Sequence, residues 1–311
     1  MTEPSSRVRF SSHRSDGPTA PAFEPTDLLI SGRAVDARGR EAIEHLKVSS
    51  SDSILLGFEP KGNKLLVNEQ VTPGHRFKEL LGDRTVRLEA TTLGLAEILI
   101  TLRTLDDSGI RQCEFVYLEP GGYIQNSESV RNDADPAFAL TQNCDFKGLL
   151  GFAHAYEDND PAVHIYFLGY EQSRLLKAVE QRDSVDPESY VRHVVVGVPA
   201  FEAGWENNVY SGHVAYLEQI GVREDQIDYC LANSAQEAYL LLRRLYTTYK
   251  DERRVFFVSP LGTKPHGIGA ALFLLETRGA THPTSLYYDH PVRINERSRE
   301  IAAWHRVHVR W

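Results

Sequence analysis

Cysteine is scarce in this sequence. Cys113, Cys144 and Cys230 are the only three in 311 residues, far apart and without a CxxC or His-rich spacing. That argues against both a disulfide framework and a structural zinc site. Long apolar runs are missing as well. No uninterrupted span reaches the length a membrane helix needs, and the N-terminus has no signal-peptide core, so a soluble, cytoplasmic setting with no membrane partner is the expectation. Positive charge is also in deficit. A formal net charge of −9 leaves no basic face for nonspecific DNA binding, although a small local basic pocket remains compatible with it.

The common catalytic signatures are lacking too. There is no GxSxG elbow for an α/β-hydrolase, no HExxH pair for a zinc hydrolase, no GxGxxG after a strand for a dinucleotide oxidoreductase and no Walker spacing. No catalytic residue, metal or cofactor is called for by any pattern in the chain. Glu119, Glu171, Glu206 and Asp289 stand in loops, where acids are more often solvated than convergent. His266 beside Lys264 has the position of an acid/base near a phosphate, and equally that of a polar helix start.

What is present is an ordinary globular balance, 41% hydrophobic and 25% charged, in a chain long enough to bury a real core. Residues 1–25 are Ser/Pro/Arg-rich without apolar periodicity and read as a disordered or loose tail. Residues 26–84 read as a βαβ segment, either part of the main sheet or an appendage, in which Asp36 and Arg38 stand where a strand hands over to a helix. From residue 85 to 311 apolar strands and helical patterns alternate. Residues 61–84 read as a connection, the segment 119–123 as a sharp strand break, 125–141 as a surface excursion, and 304–309 as a final edge strand. The pattern predicts an α/β fold with a doubly wound, mostly parallel, Rossmann-like sheet and helices on both faces. In such folds ligands bind beyond the carboxyl ends of the strands, where strand order reverses.

The residues standing after the strands are therefore the candidates. The stretch that organises them is an apolar strand at 254–258, the turn Ser259-Pro260-Leu261-Gly262-Thr263-Lys264-Pro265, and a small, apolar helix from Gly267. Strand, Gly/Thr/Lys turn and helix form an anion-site pattern: unpaired amides and the positive end of the helix dipole face the turn, and Lys264 adds a full charge. A tight turn with a surface lysine satisfies the same spacing. With Thr91 and Thr92 after an earlier strand, and Tyr123, Tyr170 and Trp205 as stacking faces, the set suits a nucleotide. Ser259, Gly262, Thr263, Lys264 and His266 complete the candidate ligand-binding residues.

With these loops assembled, the chain resembles the CRISPR-associated Rossmann-fold (CARF) sensor domains and related bacterial antiphage-defence proteins. The likeness rests on the Thr-rich turn at 91–92, the repeated βα layout to Asp289, and Gly262-Thr263-Lys264 after a hydrophobic strand. It departs from those sensors in lacking a second glycine before that tripeptide and a methionine soon after it. The resemblance implies a cyclic oligonucleotide ligand contacted by Thr91, Thr92, Thr263 and Lys264, a homodimer, and a separate effector protein. Three functions stay open: a non-catalytic nucleotide sensor, a ring-opening nuclease using Lys264 or His266, and a structural subunit of a larger complex.

Overall fold

A computed structural model describes residues 8–123, 140–142, 146–155, 160–180, 189–252 and 254–311. The chain divides into two compact units, residues 1–124 with 293–311 and residues 125–292. The expectation of one main sheet is corrected to two main sheets, one in each unit, with a further two-stranded ladder between two-residue strands. Elements are numbered along the chain.

The first unit contains β1 (Arg9–Asp16), β2 (Thr26–Ser31), α1 (Ala37–Val48), β3 (Ser50–Glu59), β4 (Lys64–Val67), β5 (Gln70–Val71), α2 (Gly74–Leu81), β6 (Val86–Glu89), α3 (Leu95–Asp107) and β7 (Gln112–Tyr123). The last strand, β15 (Ser298–Arg310), returns to it. Together they form an eight-stranded mixed sheet in the order β1-β15-β7-β6-β2-β3-β4-β5. Its centre, β7-β6-β2-β3, is parallel, and both flanks are antiparallel. Asp36 starts α1 as the sequence suggests, its carboxylate accepting from the Gly39 amide at 3.0 Å.

Four readings of this region are corrected. Residues 9–16 are no loose tail but strand β1, paired along its whole length with β15. Its side chains are nearly all exposed, which is why no apolar alternation marks it. Residues 61–84 carry β4, β5 and α2 rather than a bare connection. β7 runs on through Pro120 to Tyr123, because Pro120 lies opposite a bulge in β15 between Ile301 and Ala303, where a missing ladder donor is tolerated. β15 itself is interior, held between β1 and β7, and is not an edge.

The second unit holds β9 (Ala162–Phe167), α4 (Gln172–Glu180), β10 (Tyr190–Gly197), α5 (Trp205–Gln219), β11 (Ile227–Cys230), α6 (Ala235–Tyr249), β12 (Val255–Pro260), α7 (Lys264–Glu276) and β13 (Thr284–Leu286). The two-residue strands β8 (Thr141–Gln142) and β14 (Val292–Arg293) complete the numbering. β9 to β13 form a parallel sheet in the order β11-β10-β9-β12-β13. Every residue of β9 and β12 is buried, as expected of strands covered on both faces. α4 and α5 pack on Tyr166, Leu168, Val194 and Val196. Phe256, on the opposite face of the sheet, meets Tyr246 of α6 and Phe273 of α7. Most of the expected surface excursion at 125–141 lies outside the described residues, as does Cys144. Among the described residues no helix is long and apolar enough to cross a membrane.

Candidate functional site

In the second unit, the strand order reverses between β9 and β12: the chain leaves β9 for β10 on one side and β12 for β13 on the other. The loops after these two strands meet. A Cβ on Gly169 would lie 2.7 Å from the Leu261 carbonyl oxygen, and one on Gly262 would lie 2.8 Å from the Leu168 carbonyl oxygen. Glycine at both positions therefore lets two backbones touch, and the glycine of the Gly-Thr-Lys turn serves that contact.

Thr263 caps α7. Its hydroxyl accepts from the His266 amide at 3.4 Å and donates to the Ala232 carbonyl at 2.6 Å, while Pro265 occupies the first helical turn, where no amide is needed. Lys264 is half-buried at the first position of the helix. Tyr170 follows Gly169 in the touching loop, and its ring stands edge-on to Trp205 at 6.4 Å, at the start of α5. The structure thus brings Tyr170 and Trp205 together and sets the Gly169-Tyr170 loop beside Gly262, with Thr263 and Lys264 next along the turn.

Ser259 and His266 are placed differently. Ser259 is fully buried and donates to the Tyr287 carbonyl at 2.6 Å, so the His164 Nε2 contact at 2.6 Å is a donation to Ser259; Tyr190 completes this chain on Nδ1. It is a core hydrogen-bond relay. His266 is also fully buried, its Nε2 proton committed to the Leu231 carbonyl at 3.1 Å with Cys230 Sγ 3.4 Å away. Burial pushes the Cys230 thiol up to about 12, so this pair is a neutral thiol beside a neutral imidazole.

Burial pushes His266 down to about 4, against the opposing pull of the Leu231 carbonyl. Its ordinary value is about 6.5, so between the two the unfolded chain takes up a proton that the folded chain refuses. Stability is therefore full above the unfolded value and falls as pH drops toward the folded one, by roughly 3 kcal/mol from this residue. The buried His213 and the half-buried His290 are shifted in the same direction by the same cause. Denaturant titrations across this window are expected to show the loss, with a shallower pH slope in His266→Leu. An identical slope in the variant would refute the assignment.

The expected solvated acids are corrected for three of the four. Asp289 is buried against Arg174 in a bidentate pair, Nε to Oδ2 at 2.6 Å and Nη2 to Oδ1 at 2.7 Å. Arg174 Nη1 donates to the Leu261 carbonyl at 3.0 Å. Glu171 accepts from the amides of Leu140 and Thr141 at 2.8 and 2.9 Å. Glu119, in the first unit, is buried between His305 and Arg14. Burial alone would raise its carboxyl, but those two partners hold it below the usual range.

Thr91, Thr92 and Tyr123 belong to the first unit, so the candidate set falls in two units. Both threonines are buried. The Thr91 hydroxyl accepts from the Leu118 amide at 3.0 Å and the Thr92 hydroxyl from the Gly32 amide at 2.8 Å. Below them Glu89 accepts both threonine amides and the Thr92 hydroxyl. Neither residue caps α3, whose N-cap is Gly94. These hydroxyls tie β6 to its neighbours at the carboxyl ends of β2, β6 and β7. Tyr123 is half-buried at the end of β7.

A cleft of about 460 Å³ lies at the far end of α7 from Lys264, bounded by Phe152, His154, Thr277, Arg278 and Thr284, and takes in none of the candidate residues. Among the described residues no three His, Cys, Asp or Glu side chains are grouped to hold a metal ion. Sequence reasoning missed Arg174 and Arg297. Arg174 sits in an otherwise unremarkable first helical turn. Arg297 had only its four-residue spacing from Arg293 as a signal. No protein-family model, curated protein or solved structure matches the chain.

Proposed function

We propose that the second unit is a doubly wound, Rossmann-like domain that binds a nucleotide or related anionic signal without turning it over. On this reading it passes its occupied state to a separate effector in a cytoplasmic bacterial antiphage-defence system. The observation that carries the proposal is the parallel order β11-β10-β9-β12-β13, with the Gly169-Tyr170 loop and the Gly262-Thr263-Lys264 turn meeting at its reversal point. The depth of the crevice is filled by protein: the glycine contacts close it and Arg174 is committed to Asp289. The ligand is therefore assigned to the rim. There the positive end of α7 and Lys264 take its phosphates, and Tyr170 and Trp205 offer ring faces to its bases. The resemblance to CARF sensors supplies the cyclic oligonucleotide class, the antiphage setting and a homodimer about the ligand's two-fold axis.

Binding is favoured over cleavage because the one histidine in the turn is buried with its Nε2 proton committed to a backbone carbonyl. Isothermal titration with cyclic oligoadenylates and mononucleotides is the test. Saturable heat is expected from one of them, weakened at least about tenfold by Lys264→Ala, as for loss of a charge-assisted phosphate contact. Silence from every nucleotide, or equal affinity in the variant, refutes the proposal. So does a changed product chromatogram after incubation, which would make the unit an enzyme.

A further inference from the structure

In the first unit the parallel order β7-β6-β2-β3 also reverses, between β2 and β6. At the carboxyl ends of these strands three guanidinium groups gather. Arg38, in the first turn of α1, is buried; it donates to the Ser298 hydroxyl at 2.9 Å and to the Leu118 carbonyl, and reaches Asp36 at 3.4 Å. Arg293 donates to the carbonyls of Thr91, Thr92 and Leu93 at 3.1, 2.7 and 2.7 Å. Arg297 is pinned over the loop after β2, because the Glu296 amide donates to Val35 at 2.7 Å and Ser298 donates to Asp36. Its Nε is enclosed and has no hydrogen-bond partner.

Among the described residues the carboxylate that acts on Arg297 is Asp36, already shared with Arg38 and Ser298, while Arg293 and Arg38 add like charge beside it. Glu296 is paired with Arg40, and Glu119 with His305 and Arg14. Burial and the neighbouring Arg293 push the Arg297 guanidinium down to about 10, with Tyr123 opposing. A half-buried guanidinium with an enclosed, unused donor, among like charges, is costly unless something neutralises it.

We propose that the first unit carries an oxyanion site in which Arg297 directly holds a phosphate group. Arg293 and Arg38 supply the field, and Tyr123 stands at the rim. The ligand class is a phosphomonoester or inorganic phosphate: an oxyanion offsets the clustered positive charge, and the guanidinium fork fits two of its oxygens. The site is independent of the nucleotide proposal, which concerns the other unit.

Thermal unfolding of the full chain, with inorganic phosphate titrated against chloride at equal ionic strength, tests it. The midpoint is expected to rise with phosphate up to about 10 mM, as for a ligand that binds only the folded state. The rise should vanish in Arg297→Leu and persist in Lys264→Ala. In phosphate-free buffer Arg297→Leu is itself expected to melt above the parent, since it removes an uncompensated charge, whereas an arginine with a purely structural role would melt lower. The proposal is overturned if phosphate does not move the parent's midpoint, if it moves Arg297→Leu equally, or if Lys264→Ala alone loses the effect. A lower phosphate-free midpoint for Arg297→Leu overturns it as well.

Discussion

Asp289→Ala is expected to destabilise the second unit by about 3–5 kcal/mol, the range for removing one partner of a buried ion pair. The Asp289 side chain is fully buried and that of Arg174 is 9% exposed, so water cannot replace the lost carboxylate. Burial works against the Arg174 charge, but Asp289 outweighs it and keeps the guanidinium charged. Alanine would leave that charge with the Leu261 carbonyl and the face of Tyr288, whose ring centre is 5.7 Å away. The loops after β12 and β13 and the first turn of α4 would lose their common tie. Asp289→Asn, which keeps one acceptor, should lose less. Arg174→Met with Asp289→Leu should recover most of the loss, because well-packed apolar residues often match a buried pair. Denaturant unfolding with hydrogen exchange resolved by unit measures all three. A loss below about 1 kcal/mol in Asp289→Ala would show that the pair is solvated in solution.

Trp304→Ala should be comparably damaging to the first unit, about 3–5 kcal/mol for an aromatic removed from a core. Trp304 has no exposed surface and packs with Leu29, Ala42, Leu46, Val116 and Leu118, joining β15 to α1 and to the centre of the sheet. Its ring also meets Phe23 at 5.9 Å and His45 at 5.7 Å, and its indole N–H donates to the Pro18 carbonyl at 3.1 Å. Trp304 thereby helps to fasten the chain between β1 and β2, together with Arg87 and Arg306, which donate to the Glu24 and Ala22 carbonyls. Trp304→Phe keeps most of the apolar contact and orphans the carbonyl, so it should fall between the parent and alanine. Limited proteolysis should cut the alanine variant first between residues 16 and 26. Unchanged resistance there would mean that β1 and the Arg87 and Arg306 contacts hold this segment without the indole.

Legibility tracked the range of the interaction. The cap of α1 at Asp36 could be read locally, because a cap is settled within about four residues, whereas Thr263, read as a ligand contact, caps α7, which begins at Lys264 rather than at the expected Gly267. The run from β9 to α7 announced itself through continuous apolar strands and helices of the right length. β1 stayed hidden because its Ser, His and Arg side chains face outward and its pairing depends on β15, nearly three hundred residues away. The continuation of β7 past Pro120 was hidden for a similar reason: the bulge that accepts the proline belongs to another strand. In the site, the threonines at 91 and 92 have the composition of ligand residues, but their hydroxyls meet the Leu118 and Gly32 amides brought by neighbouring strands.

The amino-acid order alone determined the α/β alternation, most helix starts, and the position of the Gly-Thr-Lys turn between an apolar strand and an apolar helix. These follow from side-chain periodicity and capping, which act over a few residues. Only the tertiary structure decided that there are two main sheets, that Gly262 serves a backbone contact, that Asp289 belongs to Arg174, and that Arg38, Arg293 and Arg297 converge. Strand pairing and charge compensation join residues far apart along the chain. Which charges end up balanced is therefore fixed only when the strands have chosen their neighbours.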